Sequence, residues 1–132
     1  MIVVDASVLA NVVGDAGPAG DAARARLAAA TETSVPDLAD VETVAALRRR
    51  WLAGDFTARQ FAHAVDDLLA LPITRFRVGP LMKRAYELRA RLTAYDACYV
   101  ALAEGLACPL VTADARLAGA PNLMCDMEIL AP

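Results

Sequence analysis

Short apolar runs alternate with longer helical segments along the whole chain, and this alternation most constrains the fold. The clearest runs are Ile2-Val3-Val4 and Leu110-Val111-Thr112, whose β-branched residues are typical of strands covered on both faces. Further strands are predicted at residues 33–35, 73–76 and within 123–130, with helices at about 6–14, 19–30, 37–52, 57–71, 81–91 and 94–105. The alternation predicts an α/β fold in which a mainly parallel sheet carries helices on both faces.

Length and composition indicate one globular domain. The 132 residues suffice to bury a single core, and 58% of them are hydrophobic against 22% charged. No repeat, linker or low-complexity segment divides the chain. We therefore expect a single domain over residues 1–132, with Asp37 capping the helix over 37–52 and Asp40 in the capping-box position.

Net charge argues against one class of nucleic-acid binder. The chain carries 16 acidic and 13 basic residues, a formal charge of −3. Such a chain does not hold nucleic acid by a global positive potential. Local phosphate contacts remain open, and the acidic balance leaves room for a site built from carboxylates.

Cysteine usage and hydropathy indicate the cellular compartment in which the protein is expected. Cys98, Cys108 and Cys125 are odd in number and lack a disulfide-scaffold spacing, so we expect reduced thiols in a cytosolic protein. Asp5 interrupts the apolar start of the chain, and no apolar stretch approaches the ~20 residues of a membrane span. We expect a soluble, cytoplasmic protein without membrane association.

Two of the predicted strands run directly into a carboxylate. Asp5 follows Ile2-Val3-Val4, and Asp114 closely follows Leu110-Val111-Thr112. Because ligands of open α/β sheets bind beyond the carboxyl ends of the strands, both acids are predicted at one edge of the sheet. Glu42 and Asp96 lie in apolar helical surroundings, where a carboxylate is costly unless it is paired, hydrogen-bonded or bound to metal.

Ordinary structural roles compete with a metal site for each of these acids. Asp5 and Asp114 each precede a predicted helix and could be N-caps, and Asp96 could complete a capping box with Thr93. Glu42 could be a solvated helix residue, and Asp66 has apolar neighbours much like those of Glu42. Two strand-end acids together with two helix acids nevertheless favour a hard cation such as Mg²⁺ or Mn²⁺. Among the basic residues, Arg116 is a candidate phosphate contact because it closely follows Asp114.

The sequence lacks the residues or motifs of several other kinds of catalytic site. His63 is the only histidine, which excludes a two-histidine ribonuclease, and the chain lacks the ligands of a zinc site. Neither a phosphate-binding loop, a dinucleotide fingerprint nor a nucleophile elbow is present. A phosphoryl-transfer enzyme is a poorer alternative, since Asp5-Ala6-Ser7 lacks the second acid of a D-x-D phosphatase motif. Carboxylate–metal chemistry remains.

Four segments, in order, resemble the PIN domain and specifically the VapC toxins of VapBC toxin–antitoxin pairs. Together they extend over nearly the whole chain, and they are residues 2–9 (IVVDASVL), 40–47 (DVETVAAL), 95–103 (YDACYVALA) and 110–117 (LVTADARL). The resemblance implies an α/β/α sandwich around a parallel sheet, usually assembled as a homodimer. It also implies a short VapB-type antitoxin that occupies a groove near the acidic site.

The resemblance carries the family's acidic quartet and two hydroxyl positions onto single residues of this chain. The acids correspond to Asp5, Glu42, Asp96 and Asp114, and the hydroxyl positions to Ser7 and Thr112. A divalent-metal endoribonuclease is thereby implied: three aspartates would hold Mg²⁺ or Mn²⁺ and Glu42 would act as a further ligand or position water. An activated water would leave a 5′-phosphate and a 3′-hydroxyl. The alternative is a catalytically weak PIN-like module that binds RNA or a partner protein.

Overall fold

The central sheet contains five short strands, all parallel, in the order β3-β2-β1-β4-β5. These elements come from a computed structural model, which describes residues 1–120 and 123–131. The strands are β1 (Ile2–Val4), β2 (Thr33–Pro36), β3 (Thr74–Phe76), β4 (Leu110–Thr112) and β5 (Met127–Ile129). The helices are α1 (Ala6–Gly14), α2 (Pro18–Ala29), α3 (Leu38–Leu52), α4 (Ala58–Ala70), α5 (Met82–Glu87), α6 (Ala94–Leu106) and α7 (Ala115–Ala118).

The two β-branched strands, β1 and β4, are neighbours inside the sheet and are buried, as the sequence predicts for strands covered on both faces. β1 pairs with β2 on one side, where Ile2 is opposite Thr33, and with β4 on the other, where Val3 is opposite Leu110. Every residue of β1, β2 and β4 is buried. The predicted α/β fold is confirmed as a three-layer α/β/α sandwich, and its sheet is parallel throughout the described residues.

Two local predictions are corrected. Asp37 precedes α3, but its backbone is helical (φ −65°, ψ −19°) and its side chain makes no capping hydrogen bond. The reason is that its amide donates to the Phe76 carbonyl of β3 at 2.7 Å, which fixes the chain in that conformation. Asp40 is also not a capping-box acid: its carboxylate accepts two hydrogen bonds from Arg75, at 2.8 and 3.2 Å.

One predicted helix was too long. The helix expected over residues 81–91 is a 3₁₀ turn, Gly79–Leu81, followed by the short α5. Leu88 ends α5 with ψ near 0° while its side chain is 1% exposed. Burial of this leucine turns the chain, and the following residues form single turns before α6 begins.

Three strands end at the same edge of the sheet, and each is followed at once by a helix. β1 leads through Asp5 into α1, β2 leads into α3, and β4 leads into α7. The carboxyl ends of parallel strands meet there, so this edge gathers the segments that carry three of the predicted acids, Asp5, Glu42 and Asp114. None of the described helices is long and apolar enough to cross a membrane.

Candidate active site

One cavity of ≈ 410 Å³ lies at the carboxyl edge of the sheet. All four predicted acids line it, although they come from four separate parts of the chain. Ser7 and Arg116 line it too, whereas Thr112 is fully buried and contacts Asp5 from within the sheet. The lining also includes Ala6, Ala10, Ala46, Arg49, Arg50 and Tyr99.

Asp5 is the most firmly held of the acids. Its Oδ1 accepts hydrogen bonds from the Ser7 amide at 3.1 Å, the Val8 amide at 3.3 Å and the Ser7 hydroxyl at 2.5 Å. The Thr112 hydroxyl donates to Oδ2. Burial raises the pKa of Asp5 because it disfavours the charged form, and these hydrogen bonds oppose that rise. The carboxylate therefore has one fixed orientation at the end of β1.

The two hydroxyls near Asp5 also connect two turns of the chain. Ser7 Oγ accepts a hydrogen bond from the Ala113 amide, and Thr112 Oγ1 accepts one from the Asp114 amide, both at 3.0 Å. Each hydroxyl thus donates to the β1–α1 turn and accepts from the β4–α7 turn. This small network fixes the position of Asp114 relative to Asp5.

Glu42 reaches the cavity from the first half of α3 and is half-buried. The Tyr99 hydroxyl of α6 donates to its Oε1 at 2.6 Å. Burial raises the pKa of Glu42, the Tyr99 hydrogen bond lowers it, and the charges of Asp96 and Asp5 raise it again. The charges of Asp96 and Asp5 therefore act on the Glu42 carboxyl inside the cavity.

Asp96 and Asp114 occupy different electrostatic environments in the cavity. Burial raises the pKa of Asp96, and the charge of Asp114 adds to that effect. Asp114 pairs with Arg116, whose hydrogen bonds lower the pKa of Asp114. The guanidinium Nη2 lies 2.6 Å from Oδ2, and Nε lies 3.1 Å from Oδ1. Arg116 therefore neutralises one acid of the four.

Helix capping accompanies the convergence of the acids and does not exclude it. Asp5 and Asp114 do cap α1 and α7, as the structural alternative predicts. Thr93 caps α6 by accepting from the Asp96 amide at 3.2 Å. Asp66 is different, because it borders an apolar hollow formed with Trp51 and Phe61, away from the other acids. The fold thus distinguishes Asp66 from Glu42, although the two acids have similar sequence neighbours.

The sequence analysis did not single out Tyr99, Arg49 and Arg50 as cavity residues. Tyr99 follows Asp96 by three positions, which puts both on one face of α6, and that spacing was an available signal. Arg49 follows Glu42 by two helical turns, and its charge lowers the pKa of Glu42. Arg50 is held by the Ala10 carbonyl at 3.1 Å and by a neighbouring asparagine side chain at 2.8 Å.

The donor set fits a hard divalent cation. Carboxylate and hydroxyl oxygens are what Mg²⁺ and Mn²⁺ prefer, and Mg²⁺ usually keeps several of its waters. In residues 1–120 and 123–131, however, no three Asp, Glu, His or Cys side chains form a ready-made metal cluster. A cation in this cavity would therefore be held partly through water, or after the Asp114 carboxylate leaves Arg116.

Comparison with known proteins places the chain in a family. The PIN domain model matches residues 2–123. Ribonuclease VapC9 of Mycobacterium tuberculosis is 42% identical over 131 residues, which cover 98% of each chain. Ribonuclease VapC12 of the same organism is 37% identical, covering 99% of this chain and 100% of that relative.

Solved structures share the same fold. The sarcin-ricin loop cleaving toxin VapC20 of Mycobacterium tuberculosis superposes with a TM-score of 0.71 at 20% identity, covering 91% of this chain and 96% of that one. PAE2754 of Pyrobaculum aerophilum has a TM-score of 0.71 at 22% identity, covering 97% and 83%. The family model and the full-length VapC relatives together show that this chain belongs to the PIN-domain family, among its VapC-type members.

Proposed function

We propose that the protein is a divalent-metal-dependent endoribonuclease whose site is the cavity of Asp5, Glu42, Asp96 and Asp114. The observation that carries the proposal is the convergence of these acids, from four separate segments, on one cavity at the carboxyl edge of the sheet. A cluster of carboxylates is costly without a compensating cation. The name ribonuclease, borne by the VapC relatives, supplies the substrate class.

Asp5, Asp96 and Asp114 would hold Mg²⁺ or Mn²⁺, with Glu42 as a further ligand or as the group that positions water. When bound, the cation would polarise the scissile phosphate and lower the pKa of a water. Ser7 and Thr112 orient Asp5 through their hydroxyl hydrogen bonds, so its carboxylate does not have to reorganise when the site fills.

Arginines on the cavity wall would handle the RNA backbone. Arg49 and Arg116 are both exposed and line the same cavity as the acids. A guanidinium can bind two phosphate oxygens at once, which suits it to place a phosphodiester over the acids. Attack on phosphorus by water, in place of the ribose 2′-hydroxyl, with cleavage of the bond from phosphorus to the 3′-oxygen would leave a 5′-phosphate and a 3′-hydroxyl.

The biological setting we propose is the toxin half of a type II toxin–antitoxin pair. The VapC names of the relatives support a VapB-type antitoxin as partner. A homodimer, a cytoplasmic location and a single functional domain over residues 1–132 belong to the same proposal.

The test is cleavage of total cellular RNA by the purified, partner-free protein with Mg²⁺ or Mn²⁺. EDTA and the variant Asp96→Asn should each abolish cleavage, and the cuts should carry 5′-phosphates. Asp66→Asn is the matched control, because Asp66 lies on α4 beside the apolar hollow and should retain full activity. A folded wild type that binds RNA without cutting it under either metal would favour the binding-module alternative.

A further inference from the structure

Tyr99 is a buried tyrosine whose hydroxyl ends in the acidic cavity. Its side chain is 1% exposed and packs in the hydrophobic core, yet it also lines the cavity with the four acids. The hydroxyl donates to Glu42 Oε1 at 2.6 Å, a distance typical of a strong hydrogen bond to a carboxylate. A core residue thus provides a directed contact inside the candidate site.

This contact joins two helices that each carry an acid of the site. Tyr99 is three residues after Asp96 on α6, and Glu42 belongs to α3. Among the described residues, the Tyr99 hydroxyl is the one donor to Glu42, and it engages Oε1 alone. The Oε2 atom of Glu42 accepts no hydrogen bond from the described residues, and Glu42 lines the cavity.

The phenol is suited to hold a carboxylate and unsuited to exchange protons with it. Burial and the hydrogen bond to Glu42 raise the pKa of Tyr99 far above its usual range. The phenol has one O–H, which is directed at Glu42 Oε1 and serves as its donor. A tyrosine that only stabilises the fold would make the same hydrogen bond to Glu42. Activity and stability must therefore be measured separately.

We propose that Tyr99 is a positioning residue that fixes Glu42 in the rotamer in which its carboxylate lies in the acidic cavity, where the cation and the scissile phosphate would bind. This inference rests on the proposed function. A glutamate has three rotatable side-chain bonds, and a half-buried one without a partner would sample several orientations. Loss of the hydroxyl should therefore lower kcat by about tenfold, because a small misplacement of a catalytic group is costly. The KM for RNA should stay within about twofold, since Tyr99 does not contact the substrate.

The test compares Tyr99→Phe with Tyr86→Phe, Glu42→Gln and the double variant Tyr99→Phe/Glu42→Gln. Tyr86 is 65% exposed on α5, so its variant controls for the loss of a phenol. We expect Tyr99→Phe to lower kcat and to weaken Mn²⁺ binding, measured by calorimetry, by a factor of about three to ten. In the Glu42→Gln background the same change should have no further effect, because coupled residues are not additive.

A second variant keeps the inference testable should Tyr99→Phe fold poorly. Glu42→Asp retains the charge but withdraws it from the phenol, and it should lose kcat to a similar extent. Unchanged kcat and Mn²⁺ affinity in Tyr99→Phe, or an equal extra loss in the Glu42→Gln background, would overturn the inference while leaving the nuclease intact. A wild type that neither cleaves RNA nor binds Mn²⁺ would instead overturn the proposed function, and the role of Tyr99 with it.

Discussion

Arg116 and Asp114 form a bidentate ion pair at the mouth of the acidic cavity. The two contacts measure 2.6 and 3.1 Å, and the charge of Arg116 also lowers the pKa of Asp96. The arginine side chain is 87% exposed, whereas that of Asp114 is 32% exposed. Arg116 is therefore bound to a carboxylate that the proposed cation would need. Because its side chain is exposed, Arg116 can move away without disturbing the core.

Replacing Arg116 should tighten cation binding and weaken RNA binding. In Arg116→Gln the Asp114 carboxylate loses its competing partner, so the Kd for Mn²⁺ should fall, by up to about fivefold given the usual strength of an exposed ion pair. The KM for RNA should rise, because a phosphate contact is lost. Calorimetry and cleavage kinetics measure the two effects, and Arg59→Gln on α4 is an exposed control. Equal Mn²⁺ affinity in wild type and Arg116→Gln would show that the pair does not compete with the cation.

Thr112 and Thr43 provide a matched pair of buried threonines with opposite expectations. Both are 0% exposed. The Thr112 hydroxyl donates to Asp5 and accepts from Asp114, whereas Thr43 Oγ1 has no hydrogen-bond partner among the described residues. Thr112→Val should lower the free energy of unfolding by about 1–3 kcal/mol, since it leaves buried polar groups unpaired.

Thr43→Val should be neutral or stabilising, by up to about 1 kcal/mol, because it removes a buried hydroxyl that makes no bond. Urea unfolding of both variants in EDTA measures the difference without a contribution from cation binding. Equal destabilisation by the two substitutions would mean that loss of the hydrogen bonds at Asp5 and Asp114 is not what weakens Thr112→Val.

The fold could be predicted from the sequence because its signals are local. The β-branched runs at β1 and β4 and the N-cap Thr93 each mark the position of their own segment. Predictions failed where a distant contact outweighed the local pattern. Arg75 on β3 attracts Asp40, and Phe76 holds the backbone of Asp37, although both partners lie more than thirty positions away.

The candidate site was predictable in its acids and much less so in their partners. Asp5 and Asp114 are marked by their place after buried strands, and Glu42 and Asp96 by their apolar helical surroundings. Asp66 has similar surroundings, and only the family resemblance separates it from these two acids. Tyr99 could not be assigned to Glu42, because the hydrogen bond joins residues 57 positions apart through the packing of two helices. The arginine arrangement is equally a product of packing, since Arg50 is directed by the carbonyl of Ala10.

Glu104 should make stability depend on pH in acid. Burial on its own raises the pKa of Glu104, but hydrogen bonds from Arg84 at 2.7 and 3.0 Å and from the Met124 amide at 2.8 Å outweigh it and lower that pKa. A carboxyl whose pKa falls on folding stabilises the protein above its unfolded pKa, about 4.3. That contribution is lost as pH falls through the lower folded value.

Glu104→Gln should therefore destabilise the protein at pH 7, by about 1.5–3 kcal/mol for a charge-assisted hydrogen bond. The difference from wild type should shrink steadily below about pH 4.3. Unfolding free energies of both proteins across this range make the comparison, with Glu32→Gln, at an exposed position, as control. A difference that stays constant down to the lowest pH would contradict the ionic role of Glu104.

Asp96 should lower the stability of the cation-free protein and raise the stability of the cation-bound protein. Burial and the charge of Asp114 raise the pKa of Asp96, so without a cation the protein loses stability as pH rises from the unfolded value, about 3.9, through the folded one. Asp96→Asn cannot ionise, and in EDTA at pH 7 it should melt at or above the temperature of wild type. Saturating Mg²⁺ or Mn²⁺ should reverse the order: at a concentration 100 times Kd, a bound cation stabilises wild type by about 2.7 kcal/mol, whereas Asp96→Asn should gain far less. Thermal melts of wild type, Asp96→Asn and the control Asp66→Asn, with and without cation, decide the question. An equal shift in all three would assign the bound cation to another part of the surface.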